Sequence, residues 1–95
     1  MIVRFHPAAQ EELVESAQYY EAVRPGVGVR FRDAVRTALD HIIAHPEIGA
    51  PRLRARRVKV KGFPYDLVYR VIALDIEVLA LAHRSRRPGY WRRRV

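Results

Sequence analysis

The sequence predicts an α+β fold in which a small antiparallel β-sheet arises in the order β-α-α-β-β-β and a helical hairpin covers one of its faces. Three observations carry that expectation. Two segments place apolar residues at helical spacing, a basic segment and an aromatic one alternate with a period of two around a turn, and a last apolar run has strand length.

Ile2 to Phe5 alternate weakly and predict a short first strand, ended by His6-Pro7. Pro7 suits a first helical turn, where its missing N–H would be unpaired anyway, and Glu11 and Glu12 follow where the helix dipole favours carboxylates. The helix is predicted over Pro7 to Val23. Its Ala9, Leu13, Ala17 and Tyr20 form one apolar stripe, and Arg24-Pro25-Gly26 breaks it. A second stripe of Phe31, Val35, Ala38, Leu39 and Ile42 predicts another helix ending near His45-Pro46, so the two helices make a hairpin. Glu47 to Arg54 holds Gly49 and Pro51 and reads as a loop.

In the basic segment, alternation puts Arg57, Lys59 and Lys61 on one side of a strand and Val58 and Val60 on the other. One face is core; the other is a row of cations. After Gly62 and Pro64 the β-branched and aromatic residues of Tyr65 to Ile72 predict a second strand. Asp75 marks a tight turn, and Ile76 to His83, apolar on both faces, predicts a strand in a central position. Strands joined by short turns pair antiparallel, and the hairpin leaves the second sheet face open. The basic tail, Arg84 to Val95, is too charged to be core.

Residues 1–95 suit a single domain burying roughly 65% of its unfolded surface. The chain has no cysteine, so its core is aliphatic and aromatic and no disulfide or thiolate metal site holds it. No apolar run approaches the roughly 20 residues that span a bilayer, and M-I-V-R-F-H-P lacks the regions of a signal peptide. The reading is a soluble, cytoplasmic protein with no membrane partner. The net charge of +8 is uneven: residues 1–51 hold five Arg against seven acids, and residues 52–95 hold 13 Lys or Arg against three. Sixteen of the 18 basic residues are Arg. The planar guanidinium fork suits phosphate and carboxylate, although high-GC codon usage produces the same bias.

Several residues invite a functional reading that a structural one outweighs. Tyr20 continues the first helical stripe, so Tyr19 and Tyr20 are packing residues, and Tyr69 is core or half-core. His41 and His45 lie four apart, yet no Glu, Cys or third His is near in sequence, so no metal is expected. His83 ends a strand. Gly26 and Gly28 lack the Lys and Ser or Thr of a phosphate loop and read as turn residues.

The pattern of Phe5, Pro7 and Ala9; Glu12 and Leu13; Tyr19, Tyr20 and Glu21; Gly26, Gly28 and Phe31; Phe63 to Val71; and Ile76 to Trp91 resembles the RelE/ParE superfamily of bacterial type II toxins. The resemblance covers nearly the whole chain and implies a toxin held inactive by a cognate antitoxin in a hetero-oligomer, with operator DNA contacted only through the antitoxin. Two mechanisms are implied. RelE-like members are ribosome-dependent mRNA endonucleases that need no metal or other cofactor, and ParE-like members inhibit DNA gyrase.

Carried over by that resemblance, Arg57 and Lys59 match the basic positions of the second strand, Arg84 the Arg after the last strand, and Tyr90 the late Tyr. Those four would be the catalytic set of a RelE-like nuclease, stabilising the pentacoordinate phosphate and donating to the leaving oxygen. The remaining basic position of that pattern falls on Asp66, a charge reversal that repels a scissile phosphate and tends to pair with Arg57 or Lys59. F-P-Y before the strand and H-R-x-R-R-P after it look ParE-like, which implies gyrase inhibition and no catalytic residues. The alternatives are the RelE-like nuclease and an inactive homologue retained as an antitoxin-binding partner. In every case Arg57, Lys59, Lys61, Arg84, Arg86, Arg87, Tyr90 and Trp91 are the expected partner-binding residues. An acidic or amphipathic antitoxin segment would complement them. Deletion of Tyr90 to Val95 is expected to abolish toxicity before antitoxin binding.

Overall fold

A computed structural model describes residues 1–95 and gives the elements β1 (Val3–Phe5), α1 (Pro7–Val23), α2 (Val27–Ala44), β2 (Ala50–Arg52), β3 (Ala55–Val60), β4 (Tyr65–Ile72), β5 (Asp75–His83) and a 3-10 turn, Arg92–Arg94. The strands form one sheet in the order β1-β5-β4-β3-β2. From β2 to β5 consecutive strands pair antiparallel, as their short connections dictate. The sheet is nevertheless mixed, because β1 lies parallel to β5. A crossover carrying two helices has the length that parallel pairing requires.

Three expectations about single segments also change. The Glu47 to Arg54 loop contains an extra edge strand, β2, whose Pro51 is tolerated because an edge needs no full ladder. Strand β3 stops at Val60, so Lys61 opens the following turn and does not extend the cationic row. Asp75 is the first residue of β5, not the turn: its carboxylate accepts the Ile2 N–H at 2.9 Å and lies 3.3 Å from the Arg4 guanidinium, tying β1 in place. The turn falls on Ala73 and Leu74, between the paired Ile72 and Asp75.

The helices are fixed at their ends by side chains. His6 caps α1, its Nδ1 accepting the Ala8 N–H at 3.1 Å. Glu21 near the end of α1 accepts the N–H groups of Gly26 and Gly28, so one carboxylate occupies the α2 N-terminus. Gly28 is required there by space: a Cβ would lie 2.7 Å from the Ala17 carbonyl oxygen. Gly26 is a turn residue as expected, at φ +90, whereas Gly28, expected in the turn, lies inside α2 and allows its close approach to α1.

Ala9, Leu13 and Ala17 of α1 and Phe31, Val35, Ala38 and Ile42 of α2 pack on Val60, Leu67, Tyr69, Val78 and Leu81. Tyr69 is fully buried, its hydroxyl donating to the Pro46 carbonyl at 2.7 Å and accepting the Gly49 N–H at 3.0 Å. No helix is long and apolar enough to cross a membrane.

The second sheet face is not left open. A bulge opposite Val68/Tyr69 turns both Leu79 and Ala80 toward it, and with Ala55 and Val68 they form a second apolar cluster closed by Trp91, 3% exposed. The tail is therefore charged and yet delivers a core residue. Gly89, at φ +75 with Leu53 Cδ1 only 3.1 Å from where a Cβ would stand, gives the chain its turn into that position. Consequently Trp91→Ala should lower unfolding free energy by about 3–5 kcal/mol, read as a fall in the urea midpoint at constant m. Deletion of Tyr90 to Val95 should destabilise the whole fold and not merely trim a mobile end, because it removes this core residue.

Candidate functional site

Strands β3 and β4 and the returning tail enclose a groove of about 570 Å³ on the face opposite the helices. Alternation aims Arg57 and Lys59 of β3 and Asp66 of β4 into it, and Arg84, Arg86, Arg87 and Tyr90 enter from the segment after β5. Arg52 of β2 joins them, a contributor that the sequence reading had placed in a loop. Seven of the eight expected partner-binding residues thus line one groove. Lys61 is outside it, and Trp91 contributes from a buried position as part of the apolar floor with Val68 and Ala82.

The cations are not equivalent. Asp66, opposite Lys59 in the ladder, pairs instead with Arg57 at 3.7 Å and Arg84 at 3.4 Å. Its carboxylate is only 15% exposed, whereas Arg57 and Arg84 are 52% and 46% exposed. Both contacts are longer than the 2.7–2.9 Å typical of charge-assisted hydrogen bonds, so the guanidiniums retain unused donors. Other arginines are spent on the fold: Arg70 closes on Glu77 at 2.7 Å and Arg56 donates to the Glu47 and Gly49 carbonyls.

The wall of the groove depends on Glu12, which the sequence reading assigned to the dipole of α1. It points instead at the edge of β5 beyond the end of β1. Glu12 accepts the Leu81 N–H at 3.1 Å, the Tyr90 hydroxyl at 2.8 Å, and both Arg94 terminal nitrogens at 2.9 and 3.0 Å. Arg94 also donates to the Leu79 carbonyl at 2.9 Å. Two side chains thereby satisfy a strand edge that lacks a neighbouring strand. Arg86 lies over the Tyr90 ring at 3.9 Å to its centroid, a cation–π contact. Burial, and then the hydrogen bond to Glu12, push the Tyr90 hydroxyl well above the usual tyrosine range and keep it protonated. The Glu12 hydrogen bonds likewise raise the Arg94 guanidinium. Glu12 carried two legible signs, its position beside Leu13 at the border of the apolar stripe and its place in the family pattern; Arg94 carried none, standing in a run of three arginines.

A family model described as "ParE toxin of type II toxin-antitoxin system, parDE" matches residues 3–88. No curated protein sequence matches the chain significantly. Among solved structures, a chain of the chromosomal ParDE TA system from P. aeruginosa superposes with a TM-score of 0.74 at 15% identity, covering 87% of this chain and 95% of that one. That likeness establishes the fold.

The raised Tyr90 pKa gives a signed expectation. An unfolded tyrosine ionises near pH 10 and folded Tyr90 does so higher, so its contribution is complete below about pH 10 and declines as pH rises beyond it. Chemical denaturation at a series of alkaline pH values should show a shallower loss of stability for Tyr90→Phe than for the parent, by up to about 1.4 kcal/mol per pH unit. Identical slopes would mean that Tyr90 is not held as described.

Proposed function

The chain belongs to the ParE toxin family of type II toxin–antitoxin systems, and on that premise we propose that it arrests growth in the cytoplasm by inhibiting DNA gyrase until a cognate antitoxin neutralises it. The observation that carries this reading is Asp66, whose carboxylate lies inside the groove between Arg57 and Arg84. A scissile phosphate placed there would meet a negative charge. At a few ångströms and an effective dielectric near 20 the repulsion amounts to several kcal/mol, comparable to losing a major catalytic group. Tyr90, the leaving-group donor of a RelE-like site, already donates its hydroxyl hydrogen bond to Glu12. The residues therefore support a protein that acts by binding and carries no catalytic set.

One observation favours the second reading, a ribosome-dependent mRNA endonuclease. Arg57, Lys59, Arg84 and Tyr90, widely separated in sequence, converge on the same groove. Charge reversal at one position would then separate the two mechanisms.

Thymidine and methionine incorporation followed in parallel after induction should show thymidine uptake falling first, with purified protein blocking gyrase supercoiling. An earlier fall in methionine uptake would overturn the gyrase reading. Asp66→Arg should leave ribosome-dependent cleavage undetectable under this reading; a clear gain of cleavage by the folded variant would establish the nuclease frame.

A further inference from the structure

Two tight turns meet at the end of the sheet where β2 joins β3. The first carries Leu53, at φ +56, and Arg54 between the paired Arg52 and Ala55. The second reverses the tail at Gly89, and the Leu53 side chain closes on it, its Cδ1 3.1 Å from where a Gly89 Cβ would stand. That contact gathers arginines from distant parts of the chain into one ridge. Arg54 shares a hollow with Arg92, and Arg92 and Arg93 share the next one with Arg87. Arg52 stands beside them, where the ridge meets the rim of the cationic groove. All five are exposed, and none forms an ion pair or a side-chain hydrogen bond. No carboxylate lines either hollow, whereas the groove holds Asp66; Glu47, beyond Arg54, leaves it unpaired.

We propose that this ridge binds the phosphate backbone of duplex DNA directly and without reading its sequence, in addition to any contact made through an antitoxin. Five unpaired guanidinium forks with no acid among them suit a regular row of phosphates, which displaces counterions and needs no apolar pocket. The surroundings decide against other anions. A single strand requires exposed aromatic faces to stack its bases, yet Trp91 is buried and Arg86 covers the Tyr90 ring. An acidic peptide added as a strand would need a continuous ladder edge, but β2 is three residues long and its central Pro51 has no N–H. A lipid surface would need an apolar anchor among the cations, and the Leu53 side chain is turned onto Gly89. The surface stands independently of the gyrase reading, and under that reading it would place the protein on the same polymer that gyrase handles.

Fluorescence anisotropy of the full chain with a fluorescein-labelled, mixed-sequence DNA duplex tests the ridge, with affinity measured across a salt series. Five phosphate contacts predict that log K falls against log salt with a slope of about −4.5. Arg54→Gln with Arg92→Gln and Arg93→Gln, none of which lines the groove, should weaken binding at least about tenfold at about 0.15 M salt and make the slope shallower by about 2.7. Arg24→Gln with Arg30→Gln and Arg32→Gln removes the same charge from exposed, unpaired arginines on the helical layer and should weaken it by less than about threefold. Arg54→Lys with Arg92→Lys and Arg93→Lys keeps the charge and should keep most of the slope. Equal losses from the two Gln triples would reduce the effect to the general field of the protein. That result, absence of duplex binding, loss of the slope in the Lys triple, or tighter binding of oligo-dT, poly-Glu or phosphatidylserine vesicles than of duplex overturns the proposal. Because the assay contains no gyrase and no cells, failure here leaves the gyrase reading standing, and failure of the gyrase reading leaves this result intact.

Discussion

The carboxylate of Glu12 joins three parts of the chain that have no other reason to meet. It lies on the first helix, accepts a backbone N–H from the last strand, and holds Tyr90 and Arg94 of the tail. A bidentate charge-assisted contact of this kind contributes about 1.5–3 kcal/mol, and removing one partner leaves the other partly buried without compensation. The need originates in topology. Strand β1 covers β5 only over Ile76 to Val78, so the edge beyond it must find donors and acceptors elsewhere. Once Glu12 and Arg94 supply them, Trp91 is brought against Leu79 and Ala80, and the tail becomes one wall of the groove.

This arrangement sorts a large positive charge into two populations. Arg56, Arg70 and Arg94 bind carbonyls or carboxylates at short range and serve the fold. Arg52, Lys59 and Arg87 face solvent along the groove, with Arg57 and Arg84 loosely tethered to Asp66. Exposed pairs of that length contribute little to stability, with a median near 0–1 kcal/mol. They leave the surface free to bind without weakening the protein that carries it.

What could be read in the sequence followed from periodicity. The bounds of α1 and β4 agree with expectation because Ala9, Leu13 and Ala17 on one, and Tyr65, Leu67 and Tyr69 on the other, carry an unbroken pattern. Arg57, Lys59, Arg84 and Tyr90 were legible as a group only through the family resemblance, since nothing local connects β3 with the tail. Strand β2 was hidden because Pro51 opposes strand propensity and only the neighbouring β3 makes the pairing worthwhile. Trp91 could be read either as folding back onto the sheet or as part of an exposed surface, and only the second apolar cluster decides for the first. The parallel β1, the Leu79 bulge and the role of Glu12 are tertiary facts, fixed by which edge remains unpaired after the other strands have assembled.

The chain closes by joining its two ends: Glu12 and Arg94 are 82 positions apart. A contact so distant in sequence carries a loop-closure cost that is offset only after the sheet between the two residues has assembled. The basic groove therefore gains its wall only once the tail has packed on β5, and loss of the Glu12–Arg94 contact would leave the cations of β3 without the wall that faces them.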